Sequence, residues 1–213
     1  YDGDSEENDH GAKIVRLTIK GNKDFNRKLK RFTGLYEKIC EEKPDLIFLH
    51  SPQLLDADVI CRYMKENQKV RLIVDNHCDC KNSAKNWLSK NILHRFIWKR
   101  RTQMLDKYAD TFYGVTPARK EFLEKMYSIP KDRIRLLPFG ADDECVKRAM
   151  NHGSRNAIRT KYGIGEDIFL LLSGGKIDSN KKETIDLMAA MTHMEWLNVK
   201  LLLFGSVAPE LKE

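Results

Sequence analysis

The run Phe169-Leu170-Leu171-Leu172-Ser173-Gly174-Gly175-Lys176-Ile177-Asp178-Ser179-Asn180-Lys181-Lys182 joins an apolar segment to two glycines and a set of lysines. A helical pattern follows at once, from Ile185 to Met191. This order predicts a strand that ends in a tight turn and feeds a helix. The first N–H groups of such a helix lack internal partners, and its dipole is positive there, so the junction draws anions. Gly174, Gly175, Lys176 and Lys181 are therefore candidates for holding a phosphate-bearing ligand. No third glycine stands at the spacing of the dinucleotide fingerprint. The plain alternative is a tight turn with two solvated lysines, since Lys is common on surfaces.

A second constellation is Asp75-Asn76-His77-Cys78-Asp79-Cys80, directly after the apolar run 70–74. Residues at strand ends face ligands in open α/β sheets. His77 there can hydrogen-bond a substrate hydroxyl or move a proton near neutral pH. A metal site is the rival reading, since His, Cys and Asp are all ligands, but Cys78 and Cys80 stand without a second pair at structural-zinc spacing, so no metal is expected. The plain alternative is a capping loop in which Asp79 or Asn82 starts the next helix.

The segment 83–108 reads as one long basic helix. Leu88, Ile92, Phe96, Met104 and Tyr108 recur at multiples of four and predict an apolar stripe. Lys99, Arg100 and Arg101 lie beside Trp98, with Trp87 earlier in the helix. Basic residues with tryptophans can seat a helix on an anionic membrane, whereas a sheet-packing helix with a basic outer face is the commoner outcome. RNA binding lacks a single-strand platform motif, and no nucleic-acid partner is expected. Near the middle of the chain, Leu137-Pro138-Phe139-Gly140-Ala141-Asp142 reads either as a simple turn or as a hinge loop, with Gly140 and Asp142 facing a cleft.

The elements that must position these residues alternate. Apolar runs at 14–19, 46–49, 70–74, 111–115, 134–137, 168–172 and 199–204 lack polar alternation and predict parallel strands buried on both faces. Helices are expected over 24–42, capped by Asp24, and over 56–67, 83–108, 117–127 and 180–194. Thr116 and Pro117 form an N-cap and first-turn pair. Alternation of this kind predicts a Rossmann-like parallel sheet with helices on both faces. A break between Phe139 and Arg155 predicts two domains, 1–143 and 144–213. The second has too few elements for a core of its own, so it reads as truncated.

Composition sets the outer bounds. The chain has 213 residues and a formal net charge of +7, which favours an anionic partner. Five cysteines, an odd number without regular spacing, predict reduced thiols and a cytoplasmic setting. No run reaches transmembrane length, and no signal peptide is visible. The chain opens at Tyr1 rather than Met, so a fragment is expected.

Taken together, the motifs resemble those of family-four retaining glycosyltransferases with the GT-B fold. Pro44-Asp45-Leu46-Ile47-Phe48-Leu49-His50 is similar to that family's "kPDvvh" strand, and Val70-Arg71-Leu72-Ile73-Val74-Asp75-Asn76-His77 to its strand ending in His. Ala109-Asp110-Thr111-Phe112-Tyr113-Gly114-Val115-Thr116 resembles "aD.vi.vS". Ile134-Arg135-Leu136-Leu137-Pro138-Phe139-Gly140-Ala141-Asp142 resembles "v.vipnGvD", and Ser173-Gly174-Gly175-Lys176 with Lys181 resembles "vGR…K". The resemblance implies a GT-B N-terminal, acceptor-side domain lacking its first βα unit, followed by the start of the donor-binding domain. It implies a nucleotide-sugar donor and a carbohydrate or lipid-linked acceptor in polysaccharide or glycolipid assembly. Lys176 and Lys181 would hold the donor pyrophosphate, and His77 would lie by the transferred sugar as the catalytic-site residue. No cofactor is implied, because the nucleotide-sugar is a substrate. Lys176 stands where the family often has Arg, and Lys lacks the rigid guanidinium fork. With the opening strand and the later Glu-rich motif absent, the piece alone is expected to be inactive. The rival readings are a non-catalytic phosphate- or nucleotide-binding module and a basic nucleic-acid-binding protein.

Overall fold

The computed structural model describes residues 4–21, 29–81, 83–84, 86–151, 153–177, 182–194 and 197–209, with Lys176 and Lys182 described in backbone only. The chain divides into two compact units, 1–140 and 141–213.

The first unit opens with an antiparallel hairpin of β1 (Ser5–Asp9) and β2 (Ala12–Arg16). The sequence pattern predicted a parallel strand over 14–19. The strand is instead antiparallel and stops at Arg16. His10 and Gly11 form the turn with φ of 49° and 89°, the backbone hand that a two-residue hairpin needs. Asn8 Oδ1 accepts the Gly11 N–H at 2.9 Å.

The helix expected over 24–42 is described as α1 (Leu35–Glu42). Residues 22–28, including the proposed cap Asp24, lie outside the described residues. Positive φ at Lys30 and Gly34 (54° and 74°) interrupts any continuous helix before Leu35. Lys43, left-handed at φ 46°, ends α1 just before Pro44.

A four-stranded parallel sheet follows, in spatial order β3 (Leu46–His50), β4 (Arg71–Asn76), β5 (Thr111–Gly114) and β6 (Ile134–Leu136). Helix α2 (Ala57–Glu66) connects β3 to β4. Leu72 and Val74 in β4 are fully buried, as continuous apolar strands predict. On β3, an edge strand, Leu46 and Phe48 remain about half exposed, so burial on both faces does not extend to it. Phe112, Leu105, Leu123, Tyr127 and Ile129 complete the centre of the core. Burying each such side chain stabilises by about 2 kcal/mol relative to exposure.

The predicted long helix is a π-helical segment, Ser89–Trp98, that continues into α3 (Lys99–Asp106). Its buried face carries His94, Trp98, Thr102 and Leu105. The expected stripe residues Leu88, Ile92 and Phe96 point to solvent instead. A π-helix closes i→i+5 bonds, so its turn is wider than the 3.6 residues on which that stripe was counted. Helix α4 (Pro117–Tyr127) starts as predicted, with Thr116 Oγ1 accepting the Arg119 N–H at 3.3 Å. Gly114 ends β5 hard against this helix: a Cβ there would lie 2.4 Å from Lys120 N.

The second unit holds α5 (Asp143–Asn151), α6 (Ser154–Lys161), β7 (Phe169–Ile177), α7 (Lys182–Thr192) and β8 (Val199–Val207). Part of the segment read as a break is thus helix α5. Strand β7 pairs in parallel with β8. It runs through Gly174 and Gly175 to Ile177, rather than turning at the glycines. Gly175 faces Gly205 across the pair, with φ of 138° and 132°. A Cβ on Gly205 would fall 1.9 Å from the Gly175 carbonyl oxygen, and one on Gly174 would strike the Phe204 ring at 2.3 Å. These glycines serve close strand approach. Among the described residues no helix is long and apolar enough to cross a membrane.

Candidate functional site

Strand register builds the most chemically loaded cluster of the first unit. His50 and Asp75 are direct partners at the carboxyl ends of β3 and β4. His77 lies two residues beyond Asp75, in the turn that follows β4, and its ring reaches back to the same carboxylate. Asp75 Oδ2 sits 3.1 Å from His50 Nδ1 and 2.8 Å from His77 Nε2. The two imidazole centroids are 4.1 Å apart, and the Phe139 ring lies 5.4 Å from that of His77.

Asp75 is only 4% exposed. Its Oδ1 accepts the Ser51 N–H at 3.0 Å, and Ser51 holds a φ of 82° directly after β3. An ionised carboxylate only accepts, so both facing ring nitrogens donate to it. His77 is thereby left with Nδ1, and His50 with Nε2, for anything outside the cluster. The His50 side chain is 70% exposed and that of His77 21%. Lys30 belongs to the same neighbourhood. Burial lowers its pKa, while Cys78 and Asp75 act in the opposite direction. Burial also pushes the Cys78 thiol up, which keeps it protonated.

A buried polar network lies behind the cluster. Gln53 Nε2 donates to Tyr127 Oη at 2.8 Å and to Asn76 Oδ1 at 3.2 Å. Tyr127 Oη is in turn hydrogen-bonded to His94 Nδ1 at 2.7 Å. Burial lowers the pKa of His94 and raises that of Tyr127. Asn76 Nδ2 donates to the carbonyls of Cys78, at 2.9 Å, and Arg119, at 3.0 Å. Asn76 thus shapes the turn that carries His77 and ties it to the start of α4. This whole set suits hydrogen bonding to a polyol and movement of a proton at His77.

Gly174, Gly175 and the backbone of Lys176 lie within β7, and Lys181 lies outside the described residues. Gly140 ends the first unit with open space around its Cα. Asp142 caps α5, accepting the Cys145 N–H at 2.9 Å, and hydrogen bonds from Cys145 hold its carboxyl below the usual range. Arg101 pairs with Asp58 at 3.0 Å, Lys99 is half-buried and Arg100 is exposed. Sequence reasoning missed His50, Ser51 and Lys30, and placed Asp75 in the constellation without its role as the partner of both histidines. The available signal was two apolar strands that each end in a titratable residue.

The family model for Glycosyltransferase Family 4 matches residues 1–144. No curated protein sequence matches the chain. Among solved structures, a glycosyltransferase from Rickettsia africae ESF-5 is similar at a TM-score of 0.54 and 16% identity, over 81% of this chain and 41% of that one. A UDP-N-acetylglucosamine 2-epimerase from Rickettsia bellii aligns at a TM-score of 0.41 and 14% identity, over 84% of this chain and 43% of that one. The chain therefore spans about two fifths of the length of either structure. The likeness to the Rickettsia africae protein is one of fold, the parallel α/β architecture of GT-B glycosyltransferases. With its family model covering more than half of its residues, this chain belongs to glycosyltransferase family 4.

Proposed function

We propose that the protein carrying this chain moves a sugar from a nucleotide-sugar donor to a carbohydrate or lipid-linked acceptor, with retention of configuration, in polysaccharide or glycolipid assembly. The observation that carries this reading is His77, clamped by Asp75 at the carboxyl ends of a parallel sheet in a family-four chain. The clamp fixes the ring and leaves Nδ1 for a sugar hydroxyl. Lys176 and Lys181 bind the donor pyrophosphate in this reading. Their charge stabilises the departing nucleoside diphosphate, without a metal at that position. Gly140 and Asp142 belong to the hinge between acceptor-side and donor-side parts. A cytoplasmic enzyme working at the inner face of a membrane fits a lipid-linked acceptor. Exposed Trp87, Leu88, Ile92 and Phe96 beside Arg95 and Arg100 support that location.

The test is nucleoside diphosphate release by the purified gene product, offered UDP- and GDP-sugars with a panel of glycan and lipid acceptors. Turnover that falls by roughly a hundredfold in Lys181→Ala supports the reading. Nucleotide binding without turnover across the panel would replace it with a non-catalytic nucleotide-binding module.

A further inference from the structure

We propose that His50 Nδ1, His77 Nε2 and Asp75 Oδ2 form a binding site for one divalent transition-metal ion of the zinc, cobalt or nickel kind. The three atoms all lie within 4.8 Å of one another. Asp75 Oδ2 is 3.1 and 2.8 Å from the two nitrogens. A tetrahedral ion with bonds of about 2.1 Å spaces its ligands by about 3.4 Å, so only a small opening is needed. His50 can supply it by a small ring rotation, because its side chain is 70% exposed. That exposure also leaves the outer coordination position to water or a hydroxyl.

The support behind the ligands is already built. Ser51 N–H holds Asp75 Oδ1, which fixes the carboxylate and leaves Oδ2 for the ion. Outer hydrogen bonds of this kind orient metal ligands and raise affinity. Two imidazoles and one carboxylate suit zinc, cobalt and nickel better than magnesium or calcium. Binding needs no net loss of protons from neutral rings. The proton on His50 Nδ1 passes to Nε2, and that on His77 Nε2 passes to Nδ1. The ion then takes the two freed lone pairs. Lys30 is the nearby cation that opposes binding. The sequence weighed a metal only within the 75–80 segment, and against it, whereas the fold brings in His50 from the neighbouring strand.

This inference does not depend on sugar transfer, and its test uses no donor. The purified gene product, kept reduced, is titrated with Co²⁺ and followed by visible absorption. One equivalent is expected to give ligand-field bands without a thiolate-to-cobalt charge-transfer band. His50→Ala and His77→Ala should each weaken binding by roughly tenfold or more, and Cys78→Ser with Cys80→Ser should leave it unchanged. His50 is exposed, so a melting curve of His50→Ala matching the parent separates lost ligation from lost folding. Affinity equal to the parent's in both histidine variants, or a charge-transfer band that vanishes with the cysteines, would overturn the proposal.

Discussion

His50 and Asp75 face each other across β3 and β4 in direct register, with His50 Nδ1 3.1 Å from Asp75 Oδ2. A slip of one residue between these strands would send the two side chains to opposite faces. The cluster is therefore a consequence of sheet register, and it places a buried carboxylate under two imidazoles. His77 depends on that carboxylate for its orientation.

Replacing Asp75 with Asn should keep the Ser51 hydrogen bond but remove one acceptor and the charge. His77 would then be free to rotate or change tautomer. Misplacing a reacting group by about an ångström costs on the order of a hundredfold in rate. Asp75→Asn should therefore lower kcat by about that factor while KM changes little. A KM effect alone, with kcat intact, would show that Asp75 serves donor binding rather than the positioning of His77.

Gly114→Ala tests the seat of α4. The added methyl would meet Lys120 N at 2.4 Å and Lys120 Cα at 2.7 Å. Both are backbone atoms in the first turn of a helix fixed by Thr116 and Pro117, so neither yields as a side chain would. The strain should cost about 1–3 kcal/mol, read as a lower denaturant midpoint with an unchanged slope. A variant as stable as the parent would mean that α4 shifts freely along β5.

Acid should destabilise the first unit through His94. Burial lowers the pKa of this ring below its ordinary 6.5. Between the two values the unfolded chain binds a proton that the folded chain refuses, so stability rises with pH across that window. The contribution is complete above about 6.5 and is lost as pH falls toward the folded value. His94→Gln keeps a hydrogen-bonding partner for Tyr127 but cannot titrate. Denaturation at pH 7 and pH 5 should show a smaller drop in this variant than in the parent. Equal drops would assign the acid sensitivity to other groups.

The sequence reveals this molecule unevenly, for physical reasons. Buried parallel strands such as Arg71–Asn76 announce themselves, because both faces must be apolar. Helix Pro117–Tyr127 is legible in full, because Thr116 and Pro117 are local chemistry. The Ser5–Asp9 strand is invisible, being polar and held by a turn and a partner rather than by burial. The π-helical widening at Ser89–Trp98 is equally hidden, since counting in fours assumes the geometry it is meant to reveal. At the site, His77 is found from its place after a strand. Its partners are not, because pairing His50 with Asp75 requires knowing which strands are neighbours and in what register.

That misread helix leads to the membrane prediction. With His94 and Trp98 buried, the opposite face shows Trp87 at 72% and Phe96 at 68% exposure, with Arg100 on the following turn. Large exposed apolar side chains beside basic ones fit the interface of an anionic bilayer. Trp87 fluorescence should shift to shorter wavelength with phosphatidylglycerol vesicles and not with phosphatidylcholine alone. Each basic residue near such a surface contributes about 1 kcal/mol, so Lys99→Glu with Arg100→Glu should weaken binding by roughly thirtyfold or more. Phe96→Ser should weaken it independently of salt, because its contribution is apolar. Arg101 is held by Asp58, so Arg101→Glu should act less on vesicles than the other two reversals. If all these variants bind vesicles as the parent does, the apolar face serves a protein contact instead.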